Sequence, residues 1–202
     1  LLANDPAAAP ARRAELFHAA AALPLGAEGL MAKPISHLGW SSPRSVDDAF
    51  VGRTDQHSAA HLVRAAIESG ALAVAHLLAP AIKAGLQISE MRLSGPATGA
   101  APGPLSGGEP VPAPLIQLRA DLFGVPVVIG QNPEASAAGA AALAGVAAGS
   151  FANLREASQA VATSAQRVEP DRRAQDRARE LLQKHGELSA AAGESGAGRR
   201  ED

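Results

Sequence analysis

The chain has 202 residues, of which 47% are hydrophobic but only 2% aromatic, and a formal net charge of −2. That length makes one domain around one core. The slight negative charge and the shortage of aromatics exclude a nucleic-acid binder built on basic patches and stacking platforms, and offer nothing to an anionic membrane. With no Cys there are no disulfides or thiolate metal sites, which fits a cytoplasmic protein.

The opening residues carry Asp5, Pro6, Pro10, Arg12 and Arg13 where a signal peptide would have its apolar stretch. The chain opens on Leu rather than Met, which suggests a truncated N-terminus. A short helix is predicted over 11–23, with Leu16 and Ala20 on one face, and a loop or short strand over 23–34. Residues 35–48, rich in Ser and Pro, read as a surface excursion. The most regular segment is 58–84, where Leu62, Ile67, Leu72, Leu77, Leu78 and Ile82 recur at near-helical spacing. Ser58 can cap its start, Pro80 should kink or divide it, and Gly85 should end it.

After Gly85 the pattern changes to a strand over 88–93, then a Gly- and Pro-rich loop over 94–113. A helix over 114–123 follows, with Pro at its first position and Gly124 at its end. Val125 to Ile129 is a continuous apolar strand of the kind buried on both faces. Further helices are predicted over 134–148, 153–163 and 171–185. The apolar run from Ala135 to Gly149 falls short of the about 20 residues a bilayer span needs, so no membrane segment is expected. The tail, rich in Gly, Ala and charge, is expected to be disordered.

Strand–helix–strand at this spacing implies a parallel pair with a right-handed crossover, hence an α/β fold. Ligands of open α/β sheets sit outside the carboxyl ends of the strands, so the 94–113 loop is the default ligand loop.

Several segments, in order, resemble the C-terminal half of the FGGY carbohydrate kinases. These are Gly26-Ala27-Glu28-Gly29-Leu30, Ala49-Phe50-Val51-Gly52 and His61-Leu62-Val63-Arg64-Ala65-Ala66-Ile67-Glu68. Arg92-Leu93-Ser94-Gly95 is similar to the strand entering the family's adenosine loop. Ala120 to Val127 matches a helix-to-strand junction, and Glu134 to Ala141 a Glu-x-Ser-Ala-x-Gly-Ala-Ala helix start.

The resemblance spans residues 1–187 as an N-terminally incomplete nucleotide-binding domain, leaving 188–202 as the disordered tail. It implies a partial C-terminal lobe of an actin-like ATPase (ribonuclease H-like) fold, with parallel strands and packed helices. It also implies ATP and Mg²⁺ as cofactors, a small sugar or polyol as phosphoryl acceptor, and an N-terminal lobe missing from this sequence. A homodimer is compatible with it; nucleic acid and membrane are not among the expected partners. The catalytic Asp and the Gly-Thr phosphate hairpin of such kinases would lie upstream of Leu1, so no catalytic residue is assigned here and this piece alone should be inactive. Phosphoryl transfer depends on positioning and charge stabilisation that those parts supply.

The nucleotide-binding residues implied are Ser94, Gly95, Pro96 and Ala97. The family has consecutive Gly before the Ala, whereas Pro96 fixes φ and removes an N–H donor. Leu105-Ser106-Gly107-Gly108 echoes the first loop, so Gly107 is the alternative to Gly95. Pro96, and the absence of a Glu-Arg pair around Trp40, point the other way, to a non-catalytic relative that senses sugar or nucleotide or is purely structural. Trp40 itself could stack on a ligand or cover apolar surface. His57 and His61, four apart, could share a face toward a metal, but no third ligand is nearby and packing or hydrogen bonding explains them as well. Glu68, inside an apolar helix, needs a partner and could orient a loop of the nucleotide site.

Overall fold

The computed structural model describes residues 9–34, 46–94, 112–130, 134–162 and 165–197. The element order is α1 (Ala9–Ala22), a turn at Ala27–Gly29, β1 (Met31–Ala32), the one-turn α2 (Val46–Ala49), β2 (Phe50–Val51) and α3 (Ala59–Lys83). Then come β3 (Met91–Leu93), α4 (Ala113–Phe123), β4 (Val127–Gly130), α5 (Ala135–Ala147), α6 (Leu154–Val161), β5 (Ala165–Val168) and α7 (Gln175–Ala197).

β3 and β4 are parallel neighbours in register Met91↔Val127 to Leu93↔Ile129, with α4 as the crossover, as the strand–helix–strand spacing predicts. β5 was not legible in the sequence. It pairs antiparallel with β4, Val127 opposite Val168, so the sheet is mixed rather than wholly parallel. Its sequence, Ala-Gln-Arg-Val, has little apolar alternation, and it forms because β4 offers an edge. β1 and β2 make a separate two-residue antiparallel ladder.

Both observed strands of the crossover are shorter than expected, since Ile88–Glu90 and Val125–Pro126 lead into the ladder without forming it. Pro126 still contributes its carbonyl, accepting from Met91 N–H at 2.8 Å. α3 runs unbroken through Pro80, so the expected division does not occur. The proline falls in the last turn on an exposed face, where its missing N–H removes a single bond near a helix end. The helix of the C-terminal region also continues to Ala197, where the sequence predicts a disordered tail from 188. Leu, Ala and Glu are strong helix formers, and isolated glycines at about 1 kcal/mol each do not stop a helix already nucleated.

Three apolar clusters share one interior. Leu115, Ile116, Ala120, Val127 and Ile129 join α4 to the sheet, with Phe17 of α1 against them. Leu72, Leu118, Leu122, Ala178 and Leu181 join α3, α4 and α7. Ala27, Leu30, Ala32 and Ala65 seat the first turn and β1 on α3. By length and composition alone α3 could cross a bilayer. It reads instead as a core helix, because its first half buries Arg64 and Glu68 against the rest of the molecule.

Candidate functional site

Successive residues of β4 point to opposite faces of the sheet. Val127 and Ile129 face α4, which leaves Val128 and Gly130 on the other side. There a cleft of about 300 Å³ opens at the carboxyl ends of β3 and β4, between Arg92, Ser94, Val128, Ala138, Gly139 and Val161. Its wall on α5 is made of small side chains, and a Cβ added to Gly139 would project into open space. Ser94, exposed, stands at the rim where β3 ends. Gly95, Pro96 and Ala97, with Gly107 and Trp40, lie outside the described residues.

A chain of ion pairs runs from the middle of the sheet toward the opposite, amino ends of β3 and β4. Glu90 binds Arg92 and Arg167 at 2.7 Å each, and Arg167 binds Glu169 at 2.7 Å. The Arg92 guanidinium holds the Glu90 carboxyl below the usual carboxylate range, aided by Arg167. These arginines tie β3 to β5. The contributions of Arg92, α5 and α6 to the cleft were missed in the sequence. A signal was available in the small-residue run Ala135-Ser136-Ala137-Ala138-Gly139, whose lack of bulk leaves room beside a strand end.

A larger groove, about 620 Å³, lies at the other end of β3 among Ala75, Leu78, Ile82, Met91, Phe123 and Leu182. It is mostly apolar, with Lys83 and Gln87 in its lining, and sits at the amino end of the strand, so the smaller cleft is the better ligand site.

The remaining singled-out residues hold structure. Gly26, Ala27, Glu28 and Gly29 all have positive φ, at 93°, 43°, 55° and 97°, a left-handed turn that costs about 1–2 kcal/mol for each non-glycine residue. α3 holds it. Glu68 Oε1 accepts from Gly26 N–H at 2.9 Å and from Arg64 Nε at 2.7 Å, and both side chains are nearly fully buried. Burial pushes the Glu68 carboxyl up, while the Gly26 N–H and Arg64 pull it down. Glu68 therefore orients the Gly26 turn.

His61 Nδ1 accepts from the Ser58 N–H at 3.1 Å, which places the ring proton on Nε2, 3.2 Å from Glu28. His57 Nδ1 accepts from the Thr54 N–H at 2.9 Å. The two rings meet edge to face at 5.3 Å. Among the described residues no group of three or more His, Asp or Glu could hold a metal, so Mg²⁺ finds no ligand set in them.

Residues 17–148 match the model of the C-terminal domain of the FGGY family of carbohydrate kinases. The chain belongs to that family. A glycerol kinase of Bordetella parapertussis is 43% identical over 107 residues, 52% of this chain and 19% of that protein. A glycerol kinase of Aromatoleum aromaticum is 36% identical over 151 residues, 72% of this chain and 27% of that protein. Among solved structures, xylulose kinase from Rhodospirillum rubrum superposes with a TM-score of 0.67 at 25% identity, covering 93% of this chain and 35% of that one. Plasmodium falciparum glycerol kinase with ADP gives 0.55 at 17% identity, a likeness of fold alone. The FGGY chain thus has a partial actin-like ATPase fold and spans about a fifth to a third of the relatives it matches.

Proposed function

We propose that this chain is the nucleotide-binding part of an ATP-dependent carbohydrate kinase that transfers the γ-phosphoryl group of ATP to a hydroxyl of a small polyol or sugar. Glycerol is the first acceptor to test, because relatives 43% and 36% identical to this chain carry that activity in their names. The observation that carries the reading is the cleft at the carboxyl ends of β3 and β4. It has small residues on one wall and Ser94 at its rim, in a chain of this family.

The base and ribose of ATP would lie against α5 and the Ser94–Ala97 segment, with apolar Val128 and Val161 excluding water beside them. Mg²⁺ would be held mainly by the phosphates and by residues outside those described, since those described give it no ligand set. Acceptor binding, the catalytic base and the phosphate hairpin belong to an N-terminal lobe. The exposed apolar flank of α3, with Val74, Leu77 and Ile82, supports packing against further chain. The 202-residue chain alone should show no glycerol-dependent ATP turnover, and a cytoplasmic location goes with this reading.

The test is calorimetric titration with ATP, then glycerol, of a protein that includes the sequence preceding Leu1. Gly95→Val should weaken ATP binding strongly and leave glycerol binding largely intact, whereas Gly107→Val should matter much less. Loss of ATP binding only in the Gly107 variant would move the adenosine contact to the second loop. Indifference to both changes would replace this reading with the non-catalytic one that Pro96 suggests.

A further inference from the structure

Two histidines meet where α3 and α7 pack together. His76 and His185 are stacked, with ring centroids 5.3 Å apart and planes 15° from parallel. His185 is buried, 1% exposed, with Nε2 3.1 Å from Ser69 Oγ. His76 is half-buried, and its Nε2 donates to the Leu182 carbonyl at 3.0 Å. The stack depends on Gly186, where a Cβ would come within 2.9 Å of the His76 ring. From the same helix Arg177 reaches back to the left-handed turn, its Nε 3.4 Å from the Leu25 carbonyl and its guanidinium over Gly26. α7 thus holds in place a turn that is conformationally costly.

We propose that the His76–His185 stack makes α7 a proton-sensitive clasp, closed on α3 and the Gly26–Gly29 turn while the rings are neutral and released when acid charges them. A proton on His185 places a cation where water does not reach, and a second on His76 adds a like charge stacked against it.

The charged groups on the packed elements have other partners. On α3, Glu68 is bound by Arg64 and Gly26. On α7, Glu180 is bound by Arg177 and Lys184, and Glu187 by Gln183. On α4, Asp121 is bound by Gln117 and the Asp171 N–H, while Leu118 and Leu122 face the cluster containing Leu181. The sign follows from the neutral closed state: the clasp holds above the ordinary imidazole range, near 6.5, and weakens as pH falls through it.

Hydrogen exchange of the intact chain, corrected for intrinsic rates, tests this. Between about pH 7.5 and about pH 5, protection of α7 amides should fall roughly tenfold or more, and that of α4 amides much less. Ser69→Ala should retain the fall, and the double variant His76→Phe, His185→Phe should abolish it. A wild-type fall that is absent, or that persists undiminished in the double variant, overturns the proposal. Ring NMR of the wild type decides without any variant: His185 must titrate together with loss of α7 protection. A charged His185 under a fully protected α7 would sink the idea.

Discussion

The two halves of α3 share one helix and one apolar periodicity, yet they meet opposite fates. In the first half Arg64, Glu68, Ser69 and Leu72 are buried against α1, the Gly26 turn, α4 and α7. In the second half Val74, Leu77 and Ile82 are exposed, Leu77 by 79%. The buried stretch contains the Arg64–Glu68 ion pair, and the exposed stretch contains Leu77. What sorts them is the availability of partners. The left-handed turn presents an N–H and α1 a carbonyl to the charged pair of the first half.

The largest expected effect tests that contrast directly. Glu68→Ala leaves Arg64 buried without its carboxylate and the Gly26 N–H without its acceptor, and should cost about 3–5 kcal/mol. Leu77→Ala should stay within about 0.5 kcal/mol. Urea unfolding of both variants measures the difference, and a Leu77 variant as damaged as the Glu68 variant would break the comparison.

A smaller effect sharpens it within the turn. Gly26→Ala and Gly29→Ala both force a side chain onto positive φ, at about 1–2 kcal/mol each. Only at Gly26 does the new Cβ meet the Arg177 guanidinium, while at Gly29 it meets nothing. Gly26→Ala should therefore be the more destabilising, by thermal unfolding. Equal losses would mean that α7 does not clamp the turn.

The smallest effect compares two carboxylates. Burial raises Glu68, so the proton-linked part of its contribution is present below the ordinary carboxylate value of 4.5 and lost as pH rises through the raised one, while its bonds to Arg64 and Gly26 remain. Lys184 and Arg177 bring exposed Glu180 down to about 2, so its contribution is present above 4.5 and lost as pH falls toward 2. The Tm difference between wild type and Glu180→Gln should accordingly shrink between about pH 5 and about pH 3. A difference that grows on acidification would reverse the assignment.

By itself the sequence determined the parallel crossover, because an apolar run, a proline-started helix, Gly124 and a second apolar run leave little else to build. It also carried the family, through residues spaced along α3, α4 and α5, and it placed Ser94 at a strand end. Local pattern could not determine β5, which exists through pairing with β4 rather than through its own alternation. Nor could it show that Glu68 would meet Gly26, 42 residues away, or that α5 and α6 would wall the cleft. It also allowed a division at Pro80 that α3 does not make, because the cost of a helix-breaking residue depends on its place in a finished helix. Burial, pairing and the left-handed turn were decided only in the tertiary structure, where each depends on a neighbour that no short window of sequence contains.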